Sequence, residues 1–198
     1  SDKKICNLAS KFKIKFFCGS KNDLLKRYLD CAKKYRVKNI VRITSDCPLV
    51  DPYLIKEMIK TFFKRKIDYI ANTLPISRST YPDGSDIEIF KFKALKKINK
   101  LTKNKSDREH VTNFFWKNEK LFKCHIIGLK KNLSSYRFCV DYKNDLTVIR
   151  GIIEVLKKNN MAGSALEITN ILDKNKKIKK ISKKNKIKFL KYRHDLIR

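Results

Sequence analysis

Two carboxylates stand where a run of strand-forming residues gives way to a loop: Asp46, just past residues 39–43 (NIVRI), and Asp141, just past residues 136–140 (YRFCV). In layered α/β folds, ligands bind beyond the carboxyl ends of the strands. The two acids can therefore share one rim of a sheet although they lie far apart in sequence. Paired oxygen donors suit Mg²⁺, which takes one or two carboxylates and completes its shell with water and substrate phosphates. A cation held this way neutralises charge on a reacting phosphate. The alternative is that Asp46 and Asp141 are ordinary strand-end turn formers or caps. Cys47 adjoins Asp46, but the six cysteines, at 6, 18, 31, 47, 124 and 139, form no CxxC and no Cys/His cluster with zinc spacing. They are expected as reduced, mostly buried thiols of a cytoplasmic protein, and nothing requires one of them as a nucleophile.

The elements that must position these residues alternate between β and α patterns. Lys alternates with apolar residues over 11–18 (KFKIKFFC), which predicts a strand ending at Gly19-Ser20. Leu24, Leu25, Tyr28, Leu29, Ala32 and Tyr35 recur at helical spacing behind a cap at Asn22 or Asp23. After the strand over 39–43, Asp51-Pro52 predicts an N-cap with Pro in the first helical turn, and Leu54, Ile55, Met58, Ile59, Phe62 and Phe63 form that helix's buried stripe. Strands are predicted over 68–72, 86–92, 122–129 and 136–140, and helices over 94–101, from Asn144 onward, and over 165–172 after a break at Gly163-Ser164. Ser106-x-x-Glu109 has the capping-box form and predicts a helix over 110–117. The longest loop, 73–84, is of a length that is disproportionately functional.

This alternation predicts an α/β fold with a mostly parallel sheet flanked by helices. At 198 residues the chain has room for one full domain with an appendage. We expect an α/β domain over 1–160 and a short helix with a basic C-terminal tail over 161–198. No stretch approaches the roughly 18 apolar residues of a membrane span, and no apolar leader follows Ser1. The formal charge is +30, from 49 basic and 19 acidic side chains. Only 10 of the basic residues are Arg, however, and the 39 Lys are spread over nearly every segment. Nucleic-acid readers concentrate charge on one face and use Arg for bidentate contacts, so nucleic acid is not the partner this pattern favours. The densest run, 174–198, has 10 Lys and 2 Arg against Asp195 alone. His125, His194 and Trp116 are isolated and are not taken as site residues.

Several motifs occur in an order that resembles a known family. They are TSDCPLVDP at 44–52, NTLP at 72–75, YPDG at 81–84 followed by DIEIF at 86–90, REHVT at 108–112, and Val140-Asp141 with Asp145-Leu146. The series is similar to the cytidylyltransferases of the spore-coat polysaccharide type, relatives of the acylneuraminate and 3-deoxy-manno-octulosonate cytidylyltransferases. The resemblance implies a Rossmann-like nucleotide-diphospho-sugar transferase fold. It also implies a reaction in which a sugar or sugar-acid hydroxyl attacks the α-phosphate of CTP, with Mg²⁺ as cofactor, to give a CMP-sugar and pyrophosphate for surface polysaccharide synthesis. Asp46 and Asp141 would be the catalytic, metal-binding carboxylates. The loop carrying Asn72, Arg78, Tyr81, Asp83, Gly84 and Asp86 would line the sugar pocket, and Arg108 and His110, at an expected helix start, would face an anionic ligand. The competing reading of these residues is a plain turn for the loop, and a helix or subunit contact for Arg108 and His110. A homodimer is common in the resembling family.

The front of the chain departs from that pattern. Family members begin with a strand and a loop of the form R-x-x-S-x-R-L-P-x-K that grips the CTP phosphates and base, and this motif is absent here. The N-terminal strands are therefore expected to be missing, as in a fragment or truncated gene product. Two further function classes stay open at this point: a non-catalytic remnant or binding module of the fold, and a basic nucleic-acid-associated protein.

Overall fold

A computed structural model describes residues 2–197, with side chains described as far as Lys191; the side chain of His194 and the end of the basic run lie outside the described residues. The helices are α1 (Asp2–Lys11), α2 (Leu24–Lys34), α3 (Pro52–Lys64), α4 (Phe92–Leu101), α5 (Lys105–His110), α6 (Asn113–Lys117), α7 (Asp145–Lys158), α8 (Ala165–Lys174) and α9 (Lys176–Ile197). The strands are β1 (Asn39–Arg42), β2 (Tyr69–Ala71), β3 (Glu88–Lys91) and β4 (Cys124–Ile126). The chain forms two units, Ser1–Ile40 with Lys91–Asn118, and Val41–Phe90 with Glu119–Arg198, so the division falls within β1 and β3. No described helix is long and apolar enough to cross a membrane.

In the first unit Asp23 caps α2 by accepting from the Lys26 amide at 2.9 Å. Helix α2 packs on α4 and α5, burying Leu25 and Ala32 in one and Ala94, Leu95 and Ile98 in the other. The predicted strand over 11–18 does not form. Lys11 ends a helix, Lys13 has φ 55, and the residues beyond are irregular. Alternation alone does not make a strand; a neighbour must take its backbone hydrogen bonds, and among the described strands none lies here. The capping-box expectation is also corrected. Asn104, upstream of Ser106, accepts from the amides of Ser106 and Asp107, so α5 begins earlier. Val111 at φ 56 then separates it from α6.

The second unit carries most of a four-stranded sheet in the order β1-β3-β2-β4. The α/β class is as expected, but the sheet is mixed. β2 runs antiparallel to β3 with Tyr69 opposite Phe90, and parallel to β4 with Tyr69 opposite Cys124. The cause is the 73–84 loop, which returns the chain without a crossover helix and so reverses β3. Asp51 caps α3 through the Tyr53 and Leu54 amides, with Pro52 in the first turn. Leu54, Met58 and Phe62 of that helix pack with Ile67, Ile70 and Ile89.

A second core joins Phe138, Val148, Ile152, Ile168, Leu172 and Ile178. The expected strand over 136–140 is an extended segment with one parallel bridge, Asp83 to Arg137, and no ladder. Residues 161–198, expected as a short helix and a tail, hold α8, opened by a Ser164–Glu167 capping box, and the 22-residue α9. Helix α9 packs on α7 and α8. It buries Ile178, Ser182 and Asn185, one stripe at spacings of four and three, and leaves the lysines between them exposed.

Candidate active site

Three backbone hydrogen bonds lay the extended 136–140 segment across the second unit. The Asp83 amide donates to the Tyr136 carbonyl at 3.2 Å, the Phe138 amide to the Asp83 carbonyl at 2.9 Å, and the Val140 amide to the Asp46 carbonyl at 2.8 Å. The turn after β1, the 73–84 loop and the approach to α7 thus meet along one rim, which carries Asp46, Asp83, Asp86 and Asp141. Gly84 makes the close approach feasible. Its φ is +104, and a Cβ there would stand 2.7 Å from the Phe138 carbonyl carbon and 2.8 Å from the Cys139 nitrogen.

Two thiols sit among these acids. Asp46, Cys47 and Cys139 have ligand atoms all within 4.8 Å of one another, and so do Asp83, Asp86 and Cys139. Cys139 donates to Asp83 Oδ1 at 3.1 Å, and Cys47 to Asp86 Oδ2 at 3.5 Å. Asp86 also accepts from the Thr73 hydroxyl at 2.5 Å and the Gly84 amide at 2.9 Å. The adjoining Cys47, burial and Asp83 push the Cys139 thiol far above its usual range, so it is no thiolate nucleophile. Burial and the neighbouring Asp86 carry the Asp83 carboxyl above the ordinary range, against the pull of Cys139 and Arg137.

Arg137 organises the other half of the rim. Its side chain is fully buried; it donates to Asp145 Oδ1 at 3.0 Å, pairs with Asp141, and turns Nε toward Asp83 Oδ2 at 3.4 Å. That Nε has no hydrogen-bond partner among the described residues. Asp145 in turn accepts from the amides of Asp141 and Tyr142 at 2.9 and 2.8 Å. Helix α9 closes over this group: the Ser182 hydroxyl donates to the Arg137 carbonyl, and Asn185 donates to Asp145 at 2.6 Å. Asp141, Tyr142, Lys188 and Phe189 line a cavity of about 280 Å³.

The remaining predicted residues are distributed unevenly. Asn72 is fully buried and spends its amide on the Ser85 carbonyl at 2.7 Å and the Ile87 amide at 2.8 Å, which ties the two ends of the loop together. Arg78 pairs with Glu119 at the surface. Tyr81 is buried beside a cavity of about 140 Å³, and burial with Glu57 and Asp51 pushes its phenol up to about 12. Arg108 and His110 belong to the other unit and lie in the last turn of α5, whose Asn104 cap puts them beyond the expected helix start. Arg108 is held by Asp23 through Nε at 2.8 Å and Nη2 at 2.6 Å, and His110 is exposed.

Residues 1–178 match the cytidylyltransferase family model. The chain belongs to that family. This cytidylyltransferase-family chain is 32% identical over 184 residues to the uncharacterized protein MJ1063 of Methanocaldococcus jannaschii, covering 91% of this chain and 72% of that protein. It is 26% identical over 164 residues to the spore coat polysaccharide biosynthesis protein SpsF of Bacillus subtilis, covering 80% of this chain and 65% of SpsF. Among solved structures, a cytidylyltransferase from Leptospira borgpetersenii superposes with a TM-score of 0.80 at 30% identity, covering 89% of this chain and 73% of that one.

The donor chemistry of this family member's rim fits a hard divalent cation. Asp141 gives Oδ2 to Arg137 and keeps its other oxygen, with a third of the side chain exposed, and Asp46 is half-buried on the same rim. Sequence reasoning missed Arg137, Asp145, Cys139 and Lys186 as parts of this site; Lys186, half-buried on α9, donates to the Ser134 carbonyl and its charge acts on Asp83. A signal existed for Arg137, a lone charge inside an apolar strand-like run; Lys186 had none, being one lysine among many.

Proposed function

We propose that this chain transfers CMP from CTP to a hydroxyl of a sugar or sugar acid, with release of pyrophosphate, in the synthesis of a surface polysaccharide. The observation that carries this reading is the Val140-to-Asp46 hydrogen bond, which sets the Asp46 and Asp141 strand ends side by side in a chain of the cytidylyltransferase family. The acceptor oxygen forms a bond to the α-phosphorus, the bond from that phosphorus to the bridging oxygen breaks with its electron pair leaving on pyrophosphate, and the hydroxyl proton passes to solvent. A bound Mg²⁺ supplies charge neutralisation on the phosphates.

Asp46 and Asp141 would hold the cation, and Arg137 fixes which way Asp141 faces. The Asn72-tied loop with Tyr81, Asp83, Gly84 and Asp86 is our choice for the sugar side. The name of SpsF supports the polysaccharide role. The test is pyrophosphate release from CTP and Mg²⁺ with a panel of nonulosonic acids, octulosonates and simpler sugars, run on this chain and on the complete upstream reading frame. Asp46→Asn is expected to lower turnover by at least about 100-fold, the scale of losing one electrostatic stabiliser. No activity in either protein, or full activity in Asp46→Asn, overturns the reading.

A further inference from the structure

Cys47 and Cys139 come from different segments, the turn after β1 and the approach to α7, yet both thiols are buried beside the half-buried Asp46. Their sulfurs and an Asp46 oxygen all lie within 4.8 Å of one another, with Cys47 Sγ 3.7 Å from Asp46 Oδ1. Around a tetrahedral zinc ion, bonds of about 2.0 Å to oxygen and 2.3 Å to sulfur separate neighbouring donors by roughly 3.3 to 3.8 Å. The Cys47–Asp46 separation already has that spacing, and Cys139 Sγ lies within 4.8 Å of both, so about an ångström of closure at most completes the set. Thr44 Oγ1, 3.2 Å from Cys47 Sγ, is placed to support a bound thiolate, as outer partners commonly do.

From this we infer that Asp46, Cys47 and Cys139 form a site for a thiolate-preferring divalent cation of the Zn²⁺ type, with the fourth position open to water, Asp83 or Asp86. On binding, the cation forms two metal–sulfur bonds and one metal–oxygen bond, and the two thiol protons leave to solvent. Mg²⁺ does not compete for the sulfurs, because it is a hard cation that takes oxygen. A cation seated here occupies Asp46, so it also blocks CMP transfer. That consequence alone rests on the proposed function.

The test uses the full chain carrying Cys6→Ser and Cys18→Ser, because those two sulfurs stand 3.6 Å apart in the other unit and would report on their own. Titration with Co²⁺ or Cd²⁺ is expected to give a thiolate-to-metal charge-transfer band saturating at one equivalent. Cys47→Ser or Cys139→Ser should weaken binding by more than about 100-fold, beyond the cost of removing an outer hydrogen-bond partner. A band that is absent, or that persists with both serines in place, overturns the site. Should the serine variants unfold, X-ray absorption on the Zn²⁺-loaded parent decides: two sulfurs with oxygen at the metal support the site, and an all-oxygen or nitrogen shell overturns it. Because these readouts involve no CTP, failure of the site and failure of the transferase reading are separable.

Discussion

Arg137 and Asp145 form an ion pair at 3.0 Å with side-chain exposures of 0% and 2%. The same guanidinium holds Asp141 and faces Asp83, and the same carboxylate accepts the two amides that open the turn before α7. One buried pair therefore sets both the local backbone at Asp141 and the direction of its side chain.

Removing one partner of such a pair leaves a buried charge uncompensated, which costs about 3–5 kcal/mol. Arg137→Met is expected to lower the unfolding free energy by that amount in urea titrations. Arg137→Lys should recover only part of it, because a single ammonium cannot replace a planar fork that serves three carboxylates.

Gly84→Ala places a methyl group against the backbone of Phe138 and Cys139 at a φ that L-residues rarely adopt. Overpacking and backbone strain each cost about 1–3 kcal/mol. The expected result is a destabilisation in that range, read from the urea midpoint. A substitution at Gly128, where only the Thr80 hydroxyl lies near a new Cβ, should cost less.

In the first unit, burial acts to raise the Asp23 carboxyl, but the Lys26 amide and Arg108 outweigh it and the net shift is downward. A carboxyl lowered in the folded state contributes stability that is fully present above the unfolded pKa and is lost as pH falls through the folded one. Stability should therefore decline below the ordinary value of 3.8, and Asp23→Asn should flatten that acid limb. Arg108→Leu should flatten it less, since the Lys26 amide remains. Chemical denaturation at several acidic pH values reads all three.

Asn185 bridges α9 to the start of α7, donating to Asp145 at 2.6 Å and to Asn144 at 2.9 Å. Asn185→Leu removes the donor and leaves the Asp145 oxygen with Arg137 alone on that side. The cost is expected near 1–3 kcal/mol, with hydrogen exchange in α9 accelerated.

Local chemistry made some of this readable in advance. Asp51-Pro52 and Asp23 cap helices because a short side chain and a fixed φ act within three residues, and the Asp46 and Asp141 turns follow strand-like runs. Arg137 stood out as a lone charge in an apolar run, but what it does there was not readable. Its neighbours are apolar, and the acids that explain it arrive from positions 83, 141 and 145. Helix α9 was hidden because two of its buried positions are Ser182 and Asn185, so the apolar period is diluted by lysine. The 11–18 run misled for the opposite reason: its alternation is strong, and the partner strand that alternation needs is not among the described ones.

The packed face of α9 is narrow, and the rest of its described surface is rich in lysine, including Lys176, Lys177, Lys179, Lys180, Lys183 and Lys184, with Ile187 and Leu190 also exposed, on a chain whose formal charge is +30. Repulsion of this kind works against every compact arrangement of the chain, and dissolved ions weaken it over distances of about 10 Å at 0.1 M. Ionic strength is therefore one of the components that hold α9 down over Arg137: in dilute buffer this helix is expected to loosen from α7 and α8, and added salt to raise the melting temperature.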